Sequence, residues 1–448
     1  MASPSHTQGL YQHSTTTTPG NDTQHVVEVD KVQANLFFDG TLNNYFNVTT
    51  EDHEVRQQHG GEDTSYENAL SNVARMWEPM HLDPDGPDIG VYIEGMGTTR
   101  DQSDSLKGYA MGTGETGITS RAQQAFEPLK AIVADKRGKQ GLPAILELNI
   151  YGFSRGAATG RHFVSLLRNR EEIAKHFTDD WSRVRVQVNF VGLFDTVSSE
   201  GVAYGNDVDD LGLRFVDDAA QRVFHLVALD EYRENFSLTT IASACQATSL
   251  NDGVRVPMGC ELGIPGAHSD VGGGYSSGTD KSEATEVRDL PATKHTAGRG
   301  GSGTVRGPRD FVYAKGWYGS QDKQQSFWHP DRHQRQVQGD YYKVGLSIMV
   351  DMAEKYTVLA YSDRFKALMQ AQTPEVAQVQ AQLRAYAKSK VFAPSEARQL
   401  HWSLDKQLGP ERAKAFRRLY LHLSISTGVG MGPRYKNNTE LERQYVAG

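Results

Sequence analysis

The chain has 448 residues, of which 38% are hydrophobic and 23% charged, and its formal net charge is −8. A chain this long buries a core without disulfides or metals, and its mixed composition excludes collagen, coiled coil and wholesale disorder. It has no run of about 18 apolar residues, so the sequence predicts no membrane-spanning helix. The acidic balance argues against nucleic-acid binding as the main role of the chain.

Residues 1–26 are polar and rich in Thr, Ser and His, which predicts a disordered tail. They contain neither a basic n-region nor an apolar h-region, so they do not form a Sec signal peptide. Cys245 and Cys260 lie among apolar or small residues and are expected to be buried thiols rather than a disulfide. We therefore expect the chain to be made in a reducing compartment.

Strands and helices alternate from residue 27 to residue 275, a pattern typical of a parallel α/β sheet. Strands are expected within 27–41, 88–98, 145–151, 184–201 and 258–275. Helices are expected around 66–77 and 122–133, after the strand 145–151, and over 223–236.

The rest of the chain differs in pattern. Residues 276–309 are rich in Gly, Ser and Thr and predict a flexible surface insertion. Helical patterns then follow at 341–356, 374–390, 395–408 and 411–423. The sequence therefore predicts a tail (1–26), a core (27–275), an insertion (276–309) and a helical C-terminal part (310–448) that completes the core and supplies a possible lid.

The segment Gly152-Phe153-Ser154-Arg155-Gly156 fits the pattern G-x-S-x-G between an apolar strand and a helix. In such a turn the serine hydroxyl projects from the end of the sheet, and both flanking positions favour glycine because a side chain there meets neighbouring backbone. A chance match in a glycine-rich chain is the alternative. The strand before and the helix after the turn favour Ser154 as a nucleophile.

A serine nucleophile needs a base and an acid that orients the base, and in this type of fold they follow the serine as Asp or Glu and then His. Asp195 ends an apolar strand and is the candidate acid, although it also suits a cap of the following turn. His268 follows the next strand in a glycine loop and is the candidate base, although it also suits an ordinary turn. His422 is the second candidate base and is more typical of a packed helix, and His225 reads as structural.

Acyl transfer also needs two backbone N–H groups directed at the developing oxyanion. One is expected from Arg155, the residue after the serine. The other is expected from Gly40 or Thr41, at the end of the first core strand, with Asp39 shaping this side of the site. A simple Asp-Gly turn is the alternative interpretation of this segment.

Two further patterns are weak. Residues 112–117 spell G-x-G-x-x-G, but no convincing strand precedes them, so nucleotide binding is disfavoured and a glycine loop near the crevice is preferred. His268 and Asp270 could supply two metal ligands, but no further ligands have suitable spacing. No metal and no cofactor is expected.

Taken together, the segments FFDGTLNN, GFSRGAATGR, GLFDTVSSEG, HLVALDE and PGAHSDVGGGY resemble the DUF2235 α/β-hydrolase family in content and order. In bacteria that family includes the type VI secretion lipase effectors of the Tle1 class. The resemblance covers about residues 30–360. It does not account for the C-terminal helices.

The resemblance implies an α/β-hydrolase fold and release of fatty acid from glycerophospholipids, with Ser154 as nucleophile, Asp195 as acid and His268 as base. It also implies Asp39, Gly152, Gly156 and Asp270 as supporting residues.

The resemblance further implies a phospholipid substrate at a membrane surface, a cognate immunity protein and a VgrG-type spike component. It implies synthesis in the bacterial cytoplasm and type VI secretion into a target-cell periplasm. The alternatives are a soluble carboxylesterase or other serine hydrolase, and a non-catalytic interaction module on the same scaffold.

Overall fold

The fold is seen in a computed structural model. It describes residues 13–14, 27–28, 30–61, 64–105, 114–200, 205–206, 208–251, 253–275, 283–298, 301–394, 396–426, 431–436 and 440–448. Within these residues, no helix is both long and apolar enough to cross a membrane.

A seven-stranded sheet forms the centre of the molecule. Its strands in chain order are β1 (Lys31–Phe38), β2 (Gly90–Ile93), β3 (Ile145–Phe153), β4 (Arg185–Phe194), β5 (Arg222–Ala228), β6 (Gly259–Ile264) and β7 (Gln399–His401). Their spatial order is β7-β6-β5-β4-β3-β1-β2, and every neighbouring pair is parallel. The fold is therefore an α/β fold with a central parallel sheet, as the sequence predicts.

The helices flank this sheet. They are α1 (Tyr45–Thr49), α2 (His53–His59), α3 (Asn72–Leu82), α4 (Ile118–Gln124), α5 (Phe126–Arg137), α6 (Arg155–Arg168), α7 (Arg170–His176), α8 (Ala242–Gln246), α9 (His268–Gly272), α10 (Arg309–Lys315), α11 (Tyr342–Tyr356), α12 (Asp363–Leu368), α13 (Pro374–Lys390), α14 (Leu404–Leu408) and α15 (Pro410–Tyr420). Short 3-10 turns lie at Gly138–Gln140, Asp179–Arg183 and Ser320–Asp322.

Two apolar layers lie on opposite faces of the sheet. Helices α3, α11 and α13 pack on the face that carries Tyr151 and Phe190. Helices α4, α5, α6 and α8 pack on the face that carries Leu148 and Val191. Because both faces of each central strand are covered, their sequences read as nearly continuous apolar runs.

Such an apolar run explains the main difference between the predicted and the observed secondary structure. Residues 223–236 were predicted to be helical, but Arg222–Ala228 form strand β5, between β4 and β6. A short apolar run buried on both faces has no period of two, so it cannot be told from a buried helix. The strand ends at Ala228, and the remaining residues form the loop that carries Glu231.

Several other boundaries differ. The helix expected at 66–77 is α3, Asn72–Leu82, and the one expected at 122–133 is divided at Ala125 into α4 and α5. The prediction of one helix over 395–408 is wrong for its first part, because Gln399–His401 form strand β7. Only Leu404–Leu408 are helical, and they form α14.

The segment predicted as a flexible insertion contains paired strands. Residues Glu283–Asp289 pair antiparallel with Arg332–Gln338, and Thr293–Gly298 pair with Gly301–Arg306. Glu286 lies in the first of these strands and is buried. Residues 283–289 are therefore joined by hydrogen bonds to the strand Arg332–Gln338, while the division of the chain into tail, core, insertion and helical part stays a prediction.

Candidate active site

Ser154 lies between strand β3 and helix α6, at the carboxyl edge of the sheet. Its backbone has φ 58° and ψ −127°, a conformation that a residue other than glycine rarely adopts. Its N–H donates to the carbonyl of Phe194 at 3.0 Å, which ties the turn to the end of β4. The serine thus occupies the strained strand-to-helix turn that the sequence predicts.

The glycines on either side of this turn have no room for a side chain. A Cβ on Gly156 would lie 2.2 Å from the carbonyl oxygen of Asp39, and a Cβ on Gly152 would lie 2.6 Å from Cα of Ala157. Both contacts are with backbone, which cannot move aside as a flexible side chain does. The turn therefore packs directly against the end of β1.

Asp195 follows β4, directly beside the serine turn, and is fully buried. Its Oδ2 accepts a hydrogen bond from Nδ1 of His268 at 2.5 Å. Its Oδ1 accepts from the backbone N–H of Ala228 at 2.9 Å. Residues 73 positions apart in the chain thus form one buried acid–imidazole pair.

His268 begins the short helix α9 and is 4% exposed. Its ring lies between two aromatic rings, with centroid distances of 4.6 Å to Phe153 and 5.1 Å to Phe236. Phe153 immediately precedes Ser154, so this ring contact brings the imidazole to the end of β3 that carries the serine. Burial lowers the pKa of His268, against the hydrogen bond to Asp195, which favours the neutral ring that can accept a proton.

Arg443, close to the C-terminal end of the described chain, binds the same carboxylate. Its Nη1 lies 2.6 Å from Oδ1 of Asp195, and its Nη2 lies 2.9 Å from Oδ2. Burial raises the pKa of Asp195, but the charge of Arg443 and the bond from His268 outweigh it, so the pKa lies well below its usual value. The acid is therefore ionised at neutral pH.

Glu231 holds the backbone at His268. Its Oε2 accepts from the backbone N–H of His268 at 3.3 Å, and its two oxygens bind Arg233 at 2.9 and 2.8 Å. Ser424 donates to the same carboxylate at 2.7 Å. Burial raises the pKa of Glu231, but Arg233 outweighs it and lowers the pKa to about 2.

Asp270 and His422 form a second buried acid–imidazole pair. Nδ1 of His422 lies 2.7 Å from Oδ1 of Asp270, and the backbone N–H of His422 donates to Oδ2 at 3.0 Å. The same Oδ2 accepts from the N–H of Ala267, the residue before His268. The two histidines thus have different acids, and His422 braces the turn that carries His268.

A further buried acid fixes the segment that contains His422 and Ser424. Glu286 accepts from the backbone N–H of Leu423 at 2.9 Å and from the guanidinium of Arg335 at 2.7 Å. The same guanidinium donates to carbonyls at the end of α15, including that of Leu421 at 2.6 Å. Glu286, in the predicted insertion, and Arg335 therefore fix the backbone on either side of His422.

The oxyanion side is built from the end of β1. The N–H of Gly40 donates to Oδ1 of Asp39 at 2.7 Å, so this donor is already engaged, which disfavours Gly40. The hydroxyl oxygen of Thr41 is buried and has no hydrogen-bond partner. Arg155 is the first residue of α6, where backbone N–H groups point out of the helix end. The backbone N–H groups of Thr41 and Arg155 stay the predicted oxyanion donors.

Asp39 itself is buried, and its Oδ2 accepts a hydrogen bond from the hydroxyl of Tyr92 at 2.5 Å. Burial raises its pKa to about 6, against hydrogen bonds from Ser71, Tyr92 and Gly40 that lower it. This carboxyl therefore titrates near neutral pH and shapes the turn that approaches the serine.

The other sequence candidates lie elsewhere. His225 is buried, accepts the backbone N–H of Thr196, the residue after Asp195, and bonds Glu261, at 3.0 Å each, so it has its own carboxylate partner. Residues 114–117 precede α4, and 112–113 lie outside the described residues. In the described part of the chain, no group of three or more His, Cys, Asp or Glu could hold a metal ion. Cys245 and Cys260 are free thiols.

Sequence reasoning missed Arg443, which lies 248 positions after its partner Asp195 in the chain. A lone arginine in a polar segment carries no signal of such a contact. It also missed the supporting roles of Glu231 and Glu286. Glu231 lies in the segment HLVALDE, but that segment does not indicate the role of its side chain.

A parallel sheet with a strained serine turn at its carboxyl edge and an Asp–His pair beside that turn defines the α/β-hydrolase class. The chain has this fold. A family model described as "T6SS, Phospholipase effector Tle1-like, catalytic domain" matches residues 168–293. This match confirms the resemblance drawn from the sequence motifs, so the chain is similar to the type VI secretion phospholipase effectors of the Tle1 class.

A similar solved structure shares the fold. The Tle1 effector bound to the VgrG spike of the type VI secretion system matches with a TM-score of 0.54 and 20% identity, over 93% of this chain and 91% of that chain. An uncharacterized protein from Pseudomonas aeruginosa matches with a TM-score of 0.42 and 19% identity, over 82% of this chain and 52% of that chain. Among curated proteins, none matches.

Proposed function

We propose that the chain is a serine phospholipase, of A1 or A2 type, that hydrolyses acyl esters of glycerophospholipids. The observation that carries the proposal is the 2.5 Å bond between His268 and Asp195 beside the strained turn of Ser154. Three groups of the types needed for nucleophile, base and acid meet at one edge of the sheet. The phospholipid class of the substrate rests on the similarity to Tle1-like phospholipase effectors.

The hydrogen bonds of His268 indicate which of its ring nitrogens takes part in proton transfer. Nδ1 of His268 donates to Asp195, so Nε2 is the nitrogen that takes the hydroxyl proton of Ser154. The serine oxygen forms a bond to the ester carbonyl carbon, and the negative charge moves to the carbonyl oxygen. Backbone N–H groups at Arg155 and near Thr41 stabilise that oxyanion.

The intermediate then collapses and the bond to the alcohol oxygen breaks. The imidazolium returns its proton to the departing lysophospholipid. Water, deprotonated by the same Nε2, attacks the acyl enzyme and releases the fatty acid. Throughout, Asp195 stays ionised and stabilises the imidazolium, as its lowered pKa requires.

Delivery forms part of the proposal. The structurally similar Tle1 effector binds a VgrG spike, and we propose that this chain travels on a VgrG-type component by type VI secretion into the periplasm of a target cell. A cognate immunity protein would then protect the producing cell. Co-purification of the chain with a VgrG-type component of the producing cell tests this part.

The decisive experiment is identification of products from mixed phospholipids by mass spectrometry. We expect free fatty acid and lysophospholipid from the unaltered chain. Ser154→Ala should lower turnover on the order of 10⁴-fold or more. Ser165→Ala, which changes a serine about three turns further along α6, is the matched control and should leave turnover unchanged.

Three results would count against the proposal. Hydrolysis of phospholipid by Ser154→Ala at the unaltered rate would reject the nucleophile. Turnover of short soluble esters without any turnover of phospholipid would favour the soluble carboxylesterase. Failure of a fluorophosphonate probe to label Ser154 in the folded protein would favour the non-catalytic module.

A further inference from the structure

Two consecutive aromatic side chains stand out from the surface. Phe327 is 89% exposed and Trp328 is 83% exposed, more than any other large apolar side chain in the described residues. Their rings contact each other edge to face, with centroids 5.3 Å apart. Single exposed apolar residues are ordinary, but an adjacent Phe–Trp pair held in water is costly unless it has a partner.

The loop that carries the pair has a fixed base. The N–H of Gln324 donates to the carbonyl of Arg332 at 2.8 Å, and Lys323 pairs with His333 in a β-bridge. His333 is fully buried and bonds the hydroxyl of Tyr313 at 2.6 Å. The rings are therefore presented on a supported loop, which lowers the ordering cost of binding a partner.

The shape and charge of this loop favour one partner. Both rings are more than four-fifths exposed, so neither lies in a groove of this chain, and protruding rings suit a deformable surface better than a preformed pocket. Charges next to it are mostly balanced, since Arg309 pairs with Asp331 and Arg332 with Asp289. Trp and Phe are the side chains that favour the boundary between lipid headgroups and acyl chains.

We propose that Phe327 and Trp328 insert into the interfacial region of a phospholipid bilayer and hold the chain at the membrane surface. The inference rests on the proposed function, because a phospholipase must reach lipid in a membrane. The net charge of −8 disfavours attraction to anionic lipid, so the apolar rings carry the binding. Binding should therefore occur on electrically neutral vesicles and persist at high salt.

The tip of this loop lies away from the catalytic turn. The strand Arg332–Gln338 leads from the tip, and seven residues of strand span about 20 Å. Tyr341, beyond its far end, donates to the carbonyl of Pro265 at 2.8 Å, near α9. The rings therefore retain the chain at the surface and leave the chemical step to the distant site.

The test is sedimentation with vesicles of phosphatidylcholine and phosphatidylethanolamine, using the Ser154→Ala protein so that the lipid stays intact. Replacing both rings (Phe327→Ser with Trp328→Ser) should weaken binding on the order of 100-fold, about tenfold for each ring. The matched control is Leu82→Ser, because Leu82 is a single apolar side chain that is 70% exposed on α3. It should bind like the parent, also in 0.5 M salt.

Fluorescence supplies an independent measurement. Vesicles should shift the emission of Trp328 to shorter wavelength, and the shift should be absent from Trp328→Phe. With the catalytic serine restored, the double variant should hydrolyse vesicles with a raised apparent KM and hydrolyse a soluble short-chain ester at the parental rate. A loss on the soluble ester equal to that on vesicles would contradict the inference.

The outcomes separate this inference from the proposed function. Ring-dependent vesicle binding by a chain that hydrolyses no lipid would reject the function and support the inference. Phospholipid hydrolysis with equal vesicle binding by the double variant and the Leu82→Ser control would reject the inference alone. Absence of vesicle binding, with ring-dependent capture of a purified VgrG-type component, would also reject it, since the rings would then serve a protein partner.

Discussion

The guanidinium of Arg443 binds both carboxylate oxygens of Asp195, at 2.6 and 2.9 Å, while Nδ1 of His268 binds one of them at 2.5 Å. All three side chains are buried. The acid that would stabilise the imidazolium therefore shares its charge with a permanent cation. This arrangement fixes the carboxylate in place but weakens its pull on a proton at His268.

Replacement of Arg443 should consequently change the pH dependence of catalysis. With Arg443→Met the charge of Asp195 acts on His268 without competition, so the pKa of His268 rises. The acidic limb of the kcat/KM profile should then move to higher pH. A pH–rate profile on a soluble ester measures this shift without interference from vesicle binding.

The control is Arg443→Lys, which keeps the positive charge and should leave the acidic limb close to its original position. Both variants lose the two-pronged contact and should lower folding stability, by about 3–5 kcal/mol for the methionine variant. Equal profiles for all three proteins, despite measurable destabilisation, would limit Arg443 to a structural role.

The two buried histidines should differ in the size of their effects. His268→Ala removes the proposed base and should lower kcat on the order of 10³-fold or more. His422→Ala removes only the support that Asp270 gives to the turn before His268, so we expect a loss on the order of tenfold to 100-fold. Parallel assays of the two variants, with folding checked by circular dichroism, decide which histidine is the base; a larger loss for His422→Ala would reverse our assignment.

Gly156 should not tolerate a side chain. Its Cβ would lie 2.2 Å from the carbonyl oxygen of Asp39, so Gly156→Ala must push the serine turn away from the end of β1. We expect a loss of about 1–3 kcal/mol in the free energy of unfolding and a large drop in turnover. Gly61→Ala is the matched control, since its Cβ would meet only a methyl group at 3.9 Å; urea unfolding of both variants tests the contrast.

Acid should unfold the protein through its buried carboxylates. Glu231 and Glu286 each have a pKa lowered from 4.5 to about 2, because nearby arginines outweigh the effect of burial. The unfolded chain therefore binds more protons in this range, and stability is lost as the pH falls from about 4.5 to about 2. Each group contributes about 3 kcal/mol over that window.

The measurement is the free energy of unfolding in urea at a series of pH values. Glu286→Gln cannot titrate, so its curve should be shallower than that of the unaltered protein below pH 4.5, whatever its stability at neutral pH. Parallel curves for the two proteins would show that Glu286 does not contribute to acid unfolding.

Local pattern was sufficient for several parts of the fold and the site. The apolar run of β3, the glycines around Ser154 and the acid at the end of β4 each depend on a few neighbouring residues. Because carboxyl ends of parallel strands meet at one edge, their order also predicted which side chains would meet. The pairing of Asp195 with His268 agrees with that prediction.

Prediction from the sequence failed where one residue pattern is compatible with two different structures. Strand β5 is buried on both faces, and its apolar run lacks the period that would distinguish it from a helix. Residues 283–289 include charged side chains, so their sequence resembles that of a surface segment. In the fold, however, the charge of Glu286 is compensated by an ion pair with Arg335. A buried ion pair cannot be predicted until the positions of both partners in the fold are known.

The amino-acid sequence by itself determined the class of fold, the serine turn and the candidate acid and base, since each follows from short-range sterics and from the chain order of the strands. Only the tertiary structure decided which acid each histidine binds, that Gly40 is already engaged, and that Arg443 reaches Asp195. The contacts of the two histidines and of Arg443 join residues 73 to 248 positions apart, and their energies depend on burial and distance, which no local pattern encodes.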